Sequence, residues 1–282
     1  MFTGALVSWR TRRHALHLLW HGAMLAICLV VSFPFFWMLS MSLKTLAEAL
    51  SVPPSALPRH PDPSNYLAAW RAAPFARYYA NSFLVASATA AATVVTSALA
   101  GYGLVRGDFP GQRVLLLLVL ASVMIPFEAT FIPNFVLITR LHWYNTFAAL
   151  IIPWTTSAFS IFLFRQAYLA IPADIYEAAV MDGCTEGRIF QSVAFPLSRA
   201  AVVTVFLLSY LWSWNALLWP ILVTSSADMR VVQLGLFQFQ TEGGVYVNLL
   251  MAAVALSILP IIMIFLLSQR LLIEGISKGA IR

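Results

Sequence analysis

The sequence predicts an all-α integral membrane protein with six transmembrane helices. Three observations carry that prediction. Of 282 residues, 61% are hydrophobic and only 10% are charged, whereas soluble domains carry about 25% charged residues. Mean hydropathy is +0.83. The apolar residues gather into runs of about 20, the length that crosses a hydrocarbon core of about 30 Å, and polar segments separate the runs. The net charge of +6 then bears on membrane topology, and no nucleic-acid partner is implied. Cys28 and Cys184 are the only cysteines, and neither belongs to a CxxC pair. No disulfide framework or metal site follows from them.

Arg10, Arg12 and Arg13 precede a long apolar run that lacks a small-residue cleavage site. This reads as a basic tail and a retained first helix rather than a signal peptide. His14, His17 and His21 share one face of that helix, and a lone helix closes no metal site. The first span covers about 18–43, with Pro34 inside it, an interruption that membrane helices tolerate. Residues 44–80 contain six prolines and read as an irregular external segment, with a short surface helix near Asn65, Tyr66 and Trp70. The second span, about 81–102, is rich in the small residues that let helices approach closely. A polar turn with Arg106, Asp108, Pro110, Gly111 and Arg113 leads to the third span, about 114–137, which contains Pro126, Glu128 and Pro133. The fourth span is expected over about 147–168, the fifth over 201–223 and the sixth over 248–267. The expected organisation is one transmembrane domain over residues 1–282. It comprises tail and first helix (1–43), external segment (44–80), core helices (81–272) with a structured loop at about 170–199, and a tail (273–282).

Orientation follows from Lys and Arg. With the N-terminus inside, the inner segments hold eleven of these residues and the outer segments six. Both termini and the loop at 170–199 are therefore expected in the cytoplasm.

That loop carries the most specific signal in the chain. It reads Glu177-Ala178-Ala179-Val180-Met181-Asp182-Gly183, followed by Val193-Ala194-Phe195-Pro196. Asp174 is expected as an N-cap, with Glu177 three residues on as in a capping box. Ala178 and Ala179 favour a helix and present little bulk to a partner. Gly183 suits a left-handed stop. A second helix is expected from about Thr185 to Pro196. The pattern resembles the cytoplasmic EAA loop, or coupling helix, of permease subunits in binding-protein-dependent ABC importers. Glu177, Ala178, Ala179, Gly183 and Pro196 match. Val193 and Phe195 stand where that family usually has Ile and Leu, and both keep the apolar character.

The chain has no Gly-Lys dipeptide, and Lys44 and Lys278 are its only lysines. A phosphate-binding P-loop needs a lysine after its glycine-rich turn, so the chain is not expected to be an enzyme and has no candidate catalytic residue. An ion-coupled carrier needs ionisable groups within its spans, and Glu128 alone suits that depth. Two placements fit Glu128: on the translocation path, or near the outer interface where Pro126 and Pro133 loosen the helix. Trp212, Trp214 and Asn215 offer aromatic faces beside an amide, a combination that suits sugar rings. Trp219 reads as part of an outer aromatic belt.

Trp214-Asn215 with Trp219-Pro220 resembles the WN…P segment of carbohydrate-type importer permeases. Asn81-Ser82 matches as well, as does the tail Gly275-Ile276-Ser277-Lys278-Gly279-Ala280. The resemblance covers most of residues 18–282 and is nearest to the maltose and glycerol-3-phosphate importer subunits. It implies a bacterial inner-membrane permease for a sugar or sugar-like solute. It also implies a second permease subunit, two ATPase subunits that bind ATP and Mg, and an extracytoplasmic solute-binding protein, with no cofactor on this chain. Glu177, Ala178, Ala179, Asp182, Gly183 and Pro196 would then couple to the ATPases, and the tail at Gly275, Ser277 and Gly279 would approach them. Two alternatives stay open: the same machine carrying glycerol-3-phosphate or its diesters, and an ion-coupled carrier or channel.

Overall fold

The computed structural model describes residues 3–241 and 244–279, with side chains over 17–240 and 245–269. Helix α1 (Thr3–Ser42) continues through Pro34. The short α2 (Leu46–Ala49) and α3 (Ser64–Arg71) precede the long α4 (Phe75–Arg106). After α5 (Gln112–Ser122), a 3-10 turn at Phe127–Thr130 leads into α6 (Phe131–Arg140). Next come α7 (Phe147–Ile151), a 3-10 turn at Ile152–Trp154 and α8 (Ala158–Leu169). The loop of interest holds α9 (Ala173–Met181), α10 (Glu186–Ile189), a π turn at Phe190–Ala194 and α11 (Phe195–Leu197). Then follow α12 (Arg199–Trp214), α13 (Leu218–Val223) and α14 (Val232–Phe237). A two-residue antiparallel ladder, β1 (Gln240–Thr241) with β2 (Gly244–Val245), precedes α15 (Val247–Gly279).

Among the described residues, His17–Ser42, Phe75–Arg106 and Val247–Gln269 are each long and apolar enough to cross a bilayer alone. Three bent helix pairs pass the same test when each pair is taken as one span, which gives up to six among the described residues. The third, fourth and fifth spans expected from the sequence are each interrupted within their expected ranges. Gln112–Ser122 and Phe127–Arg140 meet at 100°, because Pro126 holds extended dihedrals and disfavours a helical residue before it. The fourth span bends by 47° between Phe147–Trp154 and Ala158–Leu169, where the Ser157 hydroxyl caps α8 by accepting from the Ser160 amide. The helix expected over 201–223 stops at Trp214, where the Asn215 backbone amide and side chain both donate to the Leu211 carbonyl, at 3.1 and 2.8 Å. Helix α4 starts earlier than expected because the Pro74 carbonyl accepts from the Arg77 and Tyr78 amides.

Residues 1–72 and 239–256 form one compact unit, and residues 73–238 and 257–282 a second. In the first, a buried asparagine ties down the proline-rich segment that follows α1. The Asn65 amide donates to the Ser42 and Lys44 carbonyls at 2.9 and 2.8 Å, and its oxygen accepts from Asn248 at 3.0 Å. Lys44 is itself fully buried, with its ammonium donating to the Ser55 carbonyl and standing over the Trp37 ring.

In the second unit α4 is the central post, with α8 and α12 packed along it. The α4–α8 approach is close enough that a Cβ added at Gly101 would stand 2.9 Å from the Phe164 Cβ and 3.0 Å from the Arg165 amide nitrogen. At its start α4 is tied to the segment before α14. The Asn81 amide donates to the Asp228 and Arg230 carbonyls, and the Ser82 hydroxyl accepts from the Val232 amide. This gives the Asn81-Ser82 pair a structural role. Trp219 is likewise a core residue rather than a belt residue within this chain. It is 2% exposed, donates to the Ala149 carbonyl at 2.9 Å and packs edge-on against Trp154.

Candidate coupling helix and translocation cavity

The loop after α8 is built from its own capping chemistry. Pro172 occupies the N-cap of α9 and makes no side-chain cap. Its carbonyl accepts from the Ile175 amide, so the helix starts one residue before Asp174. The expected capping box therefore does not form. Asp174 lies inside the first turn, where its charge still suits the helix dipole. At the other end the Gly183 amide donates to the Val180 carbonyl and the Cys184 amide to the Ala179 carbonyl. With Gly183 at φ +74°, this is a complete Schellman stop.

Helix α9 has two faces. Tyr176 and Ala179 point into a core made with Tyr102, Phe164, Tyr168 and Ile189. Glu177, Ala178, Asp182 and Gly183 are exposed, and Met181 is 86% exposed. Of the two alanines expected at the surface only Ala178 is there, while Ala179 is 8% exposed and faces inward. Pro196 is also exposed. It withholds the amide that would continue an α-helical ladder, and the preceding residues adopt a π turn with Phe195 donating to the Phe190 carbonyl. The resulting helix, Glu186–Leu197, meets α12 at 76°.

Both halves of the loop are anchored on the end of α4, a connection that no local pattern in the sequence reveals. The Arg106 guanidinium donates to Glu186 Oε1 at 2.6 Å, and the Tyr102 hydroxyl donates to Glu186 Oε2 at 2.6 Å. Arg106 also stands 5.1 Å over the Tyr176 ring, and the Tyr176 hydroxyl donates to the Tyr168 carbonyl. The Tyr102 ring packs edge-on against Tyr168 and Phe190. Arg106, then the Tyr102 hydroxyl, holds the Glu186 carboxyl below the usual carboxylate range. The ion pair alone is worth little, since the Glu186 side chain is 55% exposed and such pairs contribute about 0.2–1 kcal/mol. The buried rings beneath it supply most of the anchoring.

A cavity of about 370 Å³ lies halfway along α4, where α4, α8 and α12 meet. Its aromatic wall is Phe127, Trp154 and Trp212, with centroids 4.8–5.3 Å apart. Thr89, Thr93 and Ser160 also line it and bring hydroxyl groups. A neighbouring cavity of about 500 Å³ shares Phe127 and Trp212 and is lined also by Asn215. Of the residues expected on a solute path, Trp212 and Asn215 reach cavity walls. Trp214 does not: it is 2% exposed and stacks on Tyr210 against α4. Glu128 lines neither cavity. It sits exposed at the elbow between α5 and α6, next to Phe127. The tail side chains at Gly275, Ser277 and Gly279 lie outside the described residues.

Residues 92–278 match the family of binding-protein-dependent transport system inner membrane components. The chain is 33% identical over 262 residues to an arabinooligosaccharides transport system permease protein of Bacillus subtilis (strain 168), covering 91% of this chain and 92% of that protein. It is 29% identical to an sn-glycerol-3-phosphate transport system permease protein of Yersinia enterocolitica, over 94% of this chain and 97% of the other. Among solved structures, a bacterial ABC transporter involved in the import of the acidic polysaccharide alginate shares the fold. The TM-score is 0.80 at 23% identity, covering 92% of this chain and 97% of that one.

Proposed function

The chain belongs to the family of binding-protein-dependent transport system inner membrane components, and on that premise we propose that it forms one half of the translocation path of an ATP-driven sugar importer. A second permease subunit supplies the other half, two ATPase subunits dock on the α9 side, and an extracytoplasmic binding protein delivers the solute. Both termini and α9 face the cytoplasm, and ATP with Mg is held by the partner ATPases. Glu177, Ala178, Asp182, Gly183 and Pro196 belong to the coupling surface, with Ala179 as the inward-facing residue that seats it.

One observation carries this reading. Helix α9 offers an exposed face, while its Tyr176 and Ala179 pack into a core with residues of α4, α8 and α12, Arg106 of α4 stands over the Tyr176 ring, and the adjoining α10 is held to α4 through Glu186 by Tyr102 and Arg106. A helix pushed from one side and bolted on the other passes displacement into the spans instead of absorbing it, as a two-state gate requires. The sugar class is supported by the similarity to oligosaccharide permeases and by aromatic and hydroxyl cavity walls without a charged side chain. Glycerol-3-phosphate is the second reading, favoured by similarity to permeases for that solute.

Uptake into vesicles containing the assembled importer tests the proposal. Uptake requires ATP inside the vesicle, stops with vanadate, and continues when an ionophore collapses the proton gradient. Uptake that follows the ion gradient without ATP would replace this reading with an ion-coupled carrier.

A further inference from the structure

We infer that this subunit itself holds a solute subsite at the middle of α4, built to take one uncharged sugar ring against Phe127, Trp154 and Trp212. The inference rests on the importer reading and deepens it by naming where this chain touches its cargo. Three features point the same way.

The first is shape and chemistry together. The cavity of about 370 Å³ falls within the range of small-molecule sites, about 300–1,000 Å³. Its lining combines three mutually packed aromatic rings with the hydroxyl-bearing side chains of Thr89, Thr93 and Ser160. A sugar ring has the matching pair of properties: C–H faces that stack on aromatics and hydroxyls that both donate and accept.

The second is an unanswered hydrogen bond. Thr89 lines the cavity, is 1% exposed, and its hydroxyl has no partner. Trp154 Nε1 is also buried without one. Buried polar groups are normally satisfied, so a donor and a hydroxyl waiting beside a cavity mark a place where a polar ligand completes the set. The neighbouring Thr93 hydroxyl, by contrast, is already spent on the Trp154 backbone carbonyl at 3.1 Å.

The third is charge. No Arg, Lys, His, Asp or Glu lines the cavity, and the amino end of α8 facing it is already capped by Ser157. A phosphate or carboxylate entering here would lose its water without gaining a counter-charge, which is costly. The subsite therefore selects neutral sugars over anionic solutes, whatever the binding protein delivers.

Saturation-transfer NMR on the complete importer in nanodiscs tests this. The probes are arabinobiose, maltose, cellobiose and glycerol-3-phosphate, each at millimolar concentration without binding protein or ATP. The prediction is transfer to the ring C–H protons of at least one neutral disaccharide and none to glycerol-3-phosphate. Trp212→Ala reduces the signal at least fivefold, whereas Trp212→Phe keeps most of it because a ring remains. If the alanine variant fails to assemble, Thr89→Val, which removes a hydroxyl at constant shape, still weakens binding at least threefold. Transfer to glycerol-3-phosphate, an unchanged signal in the Trp212→Ala and Thr89→Val importers, or no transfer to any probe overturns the subsite. ATP-driven uptake measured on the same preparation keeps the importer reading separate: it fails if uptake is independent of ATP, irrespective of the NMR result.

Discussion

Substituting Gly183 tests the lever at its tightest point. Gly183 has φ +74°, and a Cβ built there meets nothing within 4 Å. A side chain at this position therefore causes no collision, and the cost is purely that of the left-handed backbone. For an ordinary L-residue that cost is about 1–2 kcal/mol, a factor of about 5–30 in a two-state equilibrium. Relief comes only by releasing the Gly183–Val180 and Cys184–Ala179 hydrogen bonds, which frees the end of α9. Asn tolerates the conformation, so Gly183→Asn stays near wild type, Gly183→Ala is intermediate and Gly183→Val is worst. Gly183→Asp adds a charge beside Asp182 with little strain, and uncoupling by Asp but not Asn assigns that effect to the docking face. The assay is solute imported per ATP hydrolysed in reconstituted vesicles, alongside assembly of the complex. Assembly persists across the series while the ratio falls in the order Asn, Ala, Val. A Val variant with the wild-type ratio would refute the argument that this turn transmits the stroke.

Two further predictions concern the frame that holds the lever. Gly101→Ala places a methyl 2.9 Å from the Phe164 Cβ and 3.1 Å from the Ile161 carbonyl; overpacking of this kind costs about 1–3 kcal/mol. Thermal unfolding of the purified complex then shifts down, and an unchanged transition would contradict the α4–α8 contact. Glu186→Gln tests the anchor through pH. Because Arg106 depresses the folded-state pKa of Glu186, its contribution is present above the ordinary carboxylate value of about 4.3 and is lost as pH falls through the folded value. The wild type is more stable than the variant at neutral pH, by no more than about 1 kcal/mol at so exposed a site, and the gap closes in acid. A gap that is constant with pH would mean that the carboxylate does not hold the loop.

Much of this was legible in the chain because the bilayer leaves few ways to satisfy a backbone. Apolar runs gave the number of spans, and the small residues of α4 announced a tightly packed helix. Gly183 announced its turn because few residues accept that conformation. The breaks within spans were less visible. Pro126 and Pro34 look alike in sequence, yet the chain turns at one and continues through the other. Proline removes a hydrogen bond in both places, so the residue type alone does not tell a turn from a continuing helix. Long-range contacts were not visible at all: Tyr102 and Arg106 share a helix face, but nothing near them names Glu186, eighty positions later. Trp212 and Trp214 differ for a similar reason. At two residues apart on a helix they point to different sides, and only the position of α4 determines which side is core.

The importer reading stands or falls on which side of the membrane α9 occupies and what covers it. In a chain with Cys28→Ser and Cys184→Ala, a cysteine is placed at the exposed Met181 and treated with a membrane-impermeant thiol reagent. Labelling is expected in inside-out vesicles only, with protection when the ATPase subunits are assembled. Labelling of intact cells from the outside, or identical labelling with and without the ATPases, would contradict the importer reading.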